Sequence, residues 1–395
     1  MERRIYFDHA ATTPLDINVF EKMKPYFTDI FGNANSQHAF GRDAVKAVDE
    51  ARDTVARIIN CRPNELYFTS GGTESDNWAI RGAARALKRK GKHLIISPIE
   101  HAAMLTTARA LEKEGFEVSY MKVDEFGFVD LEHLESIIRP DTTFIACMMA
   151  NNEVGTIEPI KEIAALAHRH GAVCFTDAVQ AAGVLKIDVK DLGVDMMSMS
   201  SHKIYGPKGV GALYIRTGLS IESIITGGHQ ERTKRGGTTN VPGVVGFAEA
   251  FKIADRDMEK NFAYVSSLRD RFIDRVLKEV PFVKLNGPRK EGRLPANADF
   301  SFKYIEGESI LFSLDLAGIS VSSGSACSSG SLEPSHVLLA LGLPEGLAHG
   351  SIRFSFGKHN KEEEVDYAVE VLKAAVERLR DMSPLFKPQG EIKNV

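Results

Sequence analysis

The chain has 395 residues, 43% of them hydrophobic and 26% charged, with a formal net charge of −4. That length can bury a sizeable core and favours two or more domains, while the mild negative charge leaves no electrostatic footprint for nucleic acid. The four cysteines, Cys61, Cys147, Cys174 and Cys327, stand far apart with no Cys-x-x-Cys pair. This argues against a zinc knuckle or a disulfide framework and for a reducing compartment. The basic start lacks an apolar stretch, so no signal peptide is expected, and no apolar run is long enough for a bilayer. A cytoplasmic protein is the expectation.

In chain order, a short strand is predicted over 4–7, an irregular arm over 8–14 and a polar loop over 31–38. An amphipathic helix follows over 42–59. One grammar then repeats. Strands at 65–69, 93–97, 116–123, 143–150 and 172–176 alternate with helices at 74–90, 103–114 and 160–169. Gly91, Gly115 and Gly171 close these helices, and glycine is the residue that best takes a left-handed C-cap. Such alternation predicts an α/β fold with a mainly parallel sheet covered on both faces, whose ligands gather at the carboxyl ends of the strands. Further strands are predicted at 194–200 and 210–215. The pattern changes after Ala248. A long helix broken into 244–254 and 263–279 leads to a strand at 299–304 and a helix at 308–317 stopped by Gly318. Strands at 319–322 and 351–355 follow. The last helix, 361–382, starts with Asn360 placed to cap and Glu363 completing a box. The expected division is a large domain over 15–255 and a smaller α+β domain from 1–14 and 256–395.

Three strand ends carry chemistry. Val194 to Ser200 ends on hydroxyls, and Ser201-His202-Lys203 follows, ahead of the turn formers Gly206-Pro207-Lys208-Gly209. Free lysine has a pKa of about 10.4, so roughly one amine in a few thousand is neutral at pH 7. Held as an imine with an aldehyde cofactor, that nitrogen is already activated for exchange with a substrate amine. The plain alternative is a surface lysine beside a turn. At Thr69-Ser-Gly-Gly-Thr-Glu74, glycines and a helix start could hold a phosphate through the Gly72 N–H and Thr73, or could be a generic connecting turn. At Phe175-Thr-Asp177-Ala-Val-Gln180, a carboxylate after an apolar strand is costly unless paired. A pyridinium nitrogen would pair it and become an electron sink, with Gln180 within reach of the ring's phenolate oxygen; otherwise Asp177 caps the next turn. Together these three signals describe a pyridoxal 5'-phosphate site.

Four stretches carry a family likeness: Val173–Gln180, Ser200-Ser-His-Lys203, Gly206-Pro-Lys-Gly209 and Ser322-Ser-Gly-Ser-Ala-Cys-Ser-Ser-Gly-Ser331. The chain resembles the cysteine desulfurases of the NifS/IscS type from Tyr6 to Arg380. The resemblance implies PLP fold type I, a seven-stranded large-domain sheet, and a homodimer with active sites at the subunit interface. It makes Lys203 the lysine that carries the cofactor. Ser200, His202 and Thr73 become phosphate contacts, and Asp177 and Gln180 ring contacts. His101 is similar to the family's ring-stacking, proton-shuttling histidine. Asn152 is similar to the residue touching ring and substrate. Arg353 resembles the guanidinium that pairs with the substrate carboxylate, a task suited to a bidentate fork. Thr238 resembles a phosphate ligand given to the other subunit, although Gly236 stands where the family usually has Ser.

Without the resemblance, His101 reads as a loop histidine and Arg353 as half of a structural ion pair. His168 and His170 suit the carboxyl end of a helix rather than a metal. Cys147 and Cys174 lie on apolar strands and are expected to be packed, inert thiols. Cys327 differs. Its small, polar, Ser/Gly-rich surroundings predict an exposed, mobile thiol that could carry sulfur outwards, or a linker with an incidental cysteine. The expected reaction converts L-cysteine to L-alanine and leaves a persulfide on Cys327 for an iron–sulfur scaffold or a sulfur relay. Selenocysteine lyase and an aminotransferase on the same fold are the enzyme alternatives, and a sulfur-binding scaffold with a dead site is the non-enzyme one.

Overall fold

The computed structural model describes residues 4–323 and 333–386. Its twelve strands are β1 (Ile5–Tyr6), β2 (Leu66–Thr69), β3 (His93–Ile96), β4 (Glu117–Tyr120), β5 (Thr142–Ala146) and β6 (Val173–Asp177), then β7 (Met196–Ser200), β8 (Gly211–Ile215), β9 (Val283–Asn286), β10 (Asn297–Phe302), β11 (Ile319–Ser320) and β12 (Ser351–Ser355). Seven of them form one sheet in the order β2-β8-β7-β6-β5-β3-β4. β8 runs antiparallel to both of its neighbours, and the other pairings are parallel.

Alternation along these strands sorts side chains onto two faces. Leu94, Ile96, Phe144, Phe175, Met196 and Leu213 pack with Trp78 and Ile80 of the helix Gly72–Leu87 and with Met104 of the helix Ala102–Lys113. Ile95, Ile145, Cys174, Met197 and Tyr214 pack on the other face, against the helices Ala39–Ile58, Ile160–Arg169 and Val241–Arg256. Strands buried on both sides read as near-continuous apolar runs, which is why they were visible in the sequence. Cys147 and Cys174 are buried among these chains, and burial pushes both thiols up, so they stay protonated.

A second core joins Ile5 and Phe7 of the N-terminal arm to the helices Met258–Glu279 and Glu362–Asp381 and the sheet β12-β10-β9. Phe272 sits at its centre, 4.5 Å from the ring of Phe354 and 5.4 Å from that of Phe356. β1 pairs in parallel with β11, so the start of the chain is woven into this core. No described helix is long and apolar enough to cross a membrane.

Several expectations change. β9 is a strand where none was expected, between a predicted helix and a predicted loop; it is short, and β10 supplies its register. The 116–123 and 143–150 strands are shorter than expected, ending at Tyr120 and Ala146. Gly115 and Gly171 take positive φ of 87° and 70°, as C-cap glycines do. Gly91 does not. The helix before it ends at Leu87, and Gly91 is needed because a Cβ there would lie 2.0 Å from the Asp141 carbonyl oxygen. The last helix is capped one residue later than expected: the Lys361 N–H donates to Glu364 at 3.0 Å, and Asn360 instead accepts from the Gly357 N–H at 2.7 Å. His168 does lie in the last turn of its helix, where its Nε2 meets Asp195 at 2.9 Å.

Replacing Phe272 by Ala would leave a cavity in the second core. The expected loss is about 3–5 kcal/mol, read from guanidinium unfolding of the variant and the parent under one condition.

Candidate active site

β7, β6 and β5 are neighbours in the sheet, and their carboxyl ends open on one cavity of about 320 Å³. Asp177 closes β6, with Ser198 of β7 as its register partner. Ser200 closes β7, and a single 3₁₀ turn, Ser201–Lys203, carries the chain to Lys203. The cavity wall holds Gly72, Thr73, His101, Asn152, Asp177, Gln180, Ser200, His202, Lys203 and Arg353. Ten expected site residues, spread over almost three hundred positions, therefore meet at one place.

Lys203 is held by the N-terminal arm. Its Nζ donates to the carbonyl oxygens of Ala10 at 2.5 Å and Ala11 at 2.8 Å. The same arm is tied down by Thr13, whose N–H and hydroxyl donate to the His202 carbonyl at 3.0 and 2.8 Å. Gln180 Nε2 also donates to the Ala10 carbonyl, at 3.0 Å. The arm read as irregular is thus a structural wall of the site.

Asp177 is buried, and its Oδ1 accepts from the Val179 N–H at 2.7 Å. Burial raises its carboxyl, with the Val179 bond and the positive charge of His101 and Lys203 pulling the other way. A second carboxyl, Asp76, is also buried beside the cavity, with an oxygen that has no partner. Burial, and then the charge of Asp177, push it well above its ordinary range. His101 caps the helix Ala102–Lys113, its Nδ1 accepting from the Ala103 N–H at 3.1 Å. That places the neutral ring's proton on Nε2, and burial lowers its pKa, opposed by Asp177 and assisted by Lys203.

The residues present fit a pyridoxal phosphate. The helix Gly72–Leu87 has Gly71 at its N-cap, with φ 151° and no side-chain cap, so its first N–H groups are left for an anion. A Cβ on Gly72 would stand 2.8 Å from Val179 Cγ2, so this turn has little room for a side chain. The buried hydroxyl of Ser200 lacks a partner beside the same turn. Asp177 offers a buried acid to a ring cation, and Lys203 an amine to an aldehyde.

Arg353 is buried on β12. Its Nη1 donates to the Asn152 carbonyl at 3.1 Å and its Nη2 to Asp8 at 3.0 Å, while Nε has no partner. Sequence reasoning passed over Asp8, which only the return of the arm to β12 places beside the guanidinium. Ser322 lines the same cavity and exchanges backbone bonds with Arg353 at 2.7 and 3.2 Å. Thr238 is exposed and lies outside this cavity, in a neighbouring hollow with Ser70, Gly209 and Arg235. Cys327 lies outside the described residues.

His202 gives a pH signature. Burial, with the positive charge of Lys203 and Lys208, lowers its pKa to about 4 from the ordinary 6.5. Between those values the unfolded chain binds the extra proton and the folded one does not, so stability falls as pH drops from 6.5 towards 4. His202→Gln should flatten that part of the acid slope, measured by denaturant unfolding at a series of pH values.

The profile of the Aminotransferase class-V family matches residues 5–368. The cysteine desulfurase IscS of Dictyoglomus turgidum is 52% identical over 392 residues, covering 99% of each chain. Among solved structures, a NifS-like protein superposes with TM-score 0.90 at 37% identity, over 95% of this chain and 100% of its own. SspA in complex with cysteine superposes with TM-score 0.80 at 35% identity, over 90% of this chain and 100% of its own. The family is pyridoxal phosphate-dependent, in keeping with the lysine, the buried acid and the phosphate turn. The chain belongs to the class-V aminotransferase family, among the cysteine desulfurases of the IscS type.

Proposed function

We propose that this protein is a pyridoxal phosphate-dependent cysteine desulfurase that turns L-cysteine into L-alanine and leaves the sulfur on Cys327 as a persulfide. The observation that carries the reading is the convergence of Lys203, Asp177 and Arg353 on one cavity, beside the segment that leads to Cys327. When bound, the coenzyme supplies an aldehyde for the substrate amine and a ring that accepts electrons from the substrate carbon.

The chain's own residues do the rest. Gly72, Thr73, Ser200 and His202 hold the phosphate, with Thr238 given to the neighbouring subunit. Asp177 would keep the ring nitrogen protonated, and Gln180 would donate to the ring oxygen. Lys203 Nζ is the covalent anchor and then a proton carrier. His101 would stack on the ring and shuttle protons: it can give one from Nε2 once Nδ1 has taken one up, at the cost of the bond that Nδ1 accepts from the Ala103 N–H. Arg353 and Asn152 orient the substrate carboxylate. Cys327 follows Ser322 by five residues, a span of at most about 16–18 Å, enough to reach the cavity. Its thiolate attacks the substrate sulfur. The S–S bond forms as the substrate C–S bond breaks, the carbon keeps the electron pair and takes a proton, and the Cys327 sulfur is oxidised. With its pKa near 8.5 in water, Cys327 must lose its proton to His101, the substrate or solvent.

A second copy of the chain is the proposed partner. Leu15, Ile17, Phe20, Phe27, Phe31 and Phe40 are exposed close together in sequence, an apolar stretch suited to a subunit interface. The acceptor of the sulfur is proposed to be an iron–sulfur scaffold or a relay protein, in line with the IscS name of the relatives. We place the protein in the cytoplasm on its cysteine usage, and the domain boundary near residue 256, where the helices Val241–Arg256 and Met258–Glu279 meet and join different cores. The relatives' activity disfavours a selenocysteine lyase or an aminotransferase, and the intact Lys203, Asp177 and His101 disfavour an inactive scaffold.

Cys327→Ala should keep the cofactor colour and bind cysteine while persulfide formation and turnover collapse. Mass spectrometry after cysteine treatment checks it: one added sulfur on Cys327 is expected, and undiminished turnover of the variant would refute the assignment. Arg353→Lys keeps the charge but loses the fork. It should raise KM for cysteine by about tenfold or more, since hydrogen bonds to charged groups contribute roughly 1.5–3 kcal/mol.

A further inference from the structure

β2 is one of the two edge strands of the large sheet, and side chains close its outer side. The Glu231 carboxylate accepts from the Phe68 N–H at 3.0 Å and takes a two-point bond from Arg52 at 2.8 and 2.9 Å. Arg52 and Arg232 donate in turn to the Leu66 carbonyl, at 2.6 and 2.7 Å. The Arg52–Glu231 pair is almost fully buried, with 9% and 6% of the side chains exposed, so breaking it would strand a charge. This clamp fastens the segment that carries Arg235.

Arg235 then reaches the phosphate turn from behind. Its Nε and Nη2 donate to the two oxygens of Glu74 at 2.8 and 2.9 Å, and Glu74 also accepts from the Ser70 N–H at 2.8 Å. Glu74 lies in the first turn of the helix Gly72–Leu87, whose uncapped start faces the cavity. Burial alone would raise its carboxyl, but Arg235 and Ser70 hold it below the ordinary value, so it is an anion at neutral pH. A bare anion there would repel a phosphate.

We propose that Arg235 is a positioning residue for the coenzyme phosphate: it cancels the charge of Glu74 and fixes the first turn, while Glu231 and Arg52 clamp its segment to the sheet edge. The inference rests on the phosphate reading of Gly72, Thr73 and Ser200. Neither Arg235 nor Glu231 lines the cavity, so both act through Glu74 and β2.

The test titrates apoprotein, prepared from the holoenzyme, with pyridoxal phosphate and separately with pyridoxal, which lacks the phosphate. Arg235→Gln should weaken pyridoxal phosphate by about tenfold and leave pyridoxal within about twofold. Adding Glu74→Gln should restore most of the loss, because the uncancelled anion is gone. Glu74→Gln alone should bind pyridoxal phosphate at least as tightly as the parent, which keeps the test open if Arg235→Gln folds poorly. Glu231→Gln should show the same selective loss. Equal loss of both ligands in Arg235→Gln, or no recovery in the double variant, overturns the proposal. Thr73→Ala separates the layers. A selective phosphate loss there without one in Arg235→Gln rejects the role of Arg235 alone, and no selective loss in Thr73→Ala rejects the phosphate reading and the inference with it.

Discussion

An acid and an amine at the ends of adjacent strands define the site. Asp177 closes β6 and Lys203 stands one 3₁₀ turn beyond β7, both on the wall of one cavity. A buried carboxylate is costly in isolation, and a neighbouring cation lowers that cost. The sheet brings the two together because β6 and β7 are parallel and in register from Phe175–Met196 to Asp177–Ser198. The helices covering the sheet exclude water from one side, and the N-terminal arm closes the other.

The arm shows how the second core serves the site. Ile5 and Phe7 are buried there, so the residues that follow are delivered to the cavity at a fixed height. Asp8 meets Arg353, and the Ala10 and Ala11 carbonyls meet Lys203. Backbone carbonyls suit this task, because they hold an ammonium without adding a titratable group. Asp76 and Glu100 show the opposite strategy. Both are buried acids, raised by burial and then by the charge of Asp177.

Much of the site was legible because its parts are local. The Gly72–Thr73 turn, Asp177 with Gln180, and the Ser200–Lys203 run each sit within a few residues of a strand end, where an apolar run stops and polar residues begin. His101 and Arg353 needed the family likeness, since a loop histidine and a strand arginine look ordinary in isolation. Asp8, Asp76 and the Glu231–Arg52 clamp gave no local signal. Their partners lie far along the chain, Asp8 with Arg353 and Glu231 with Arg52, and no spacing rule joins them.

Taken by itself, the sequence determined the alternation of strand and helix, the two-sided burial of the sheet and the residues at its strand ends. Those properties follow from apolar periodicity and from glycine and polar residues at the boundaries, which act over a few residues. Tertiary structure decided the rest: the edge position of β2, the pairing of β9, the close approach that requires Gly91, and the wall built by residues 8–13. Each depends on contacts between distant segments, whose closure becomes favourable only when the whole core is buried.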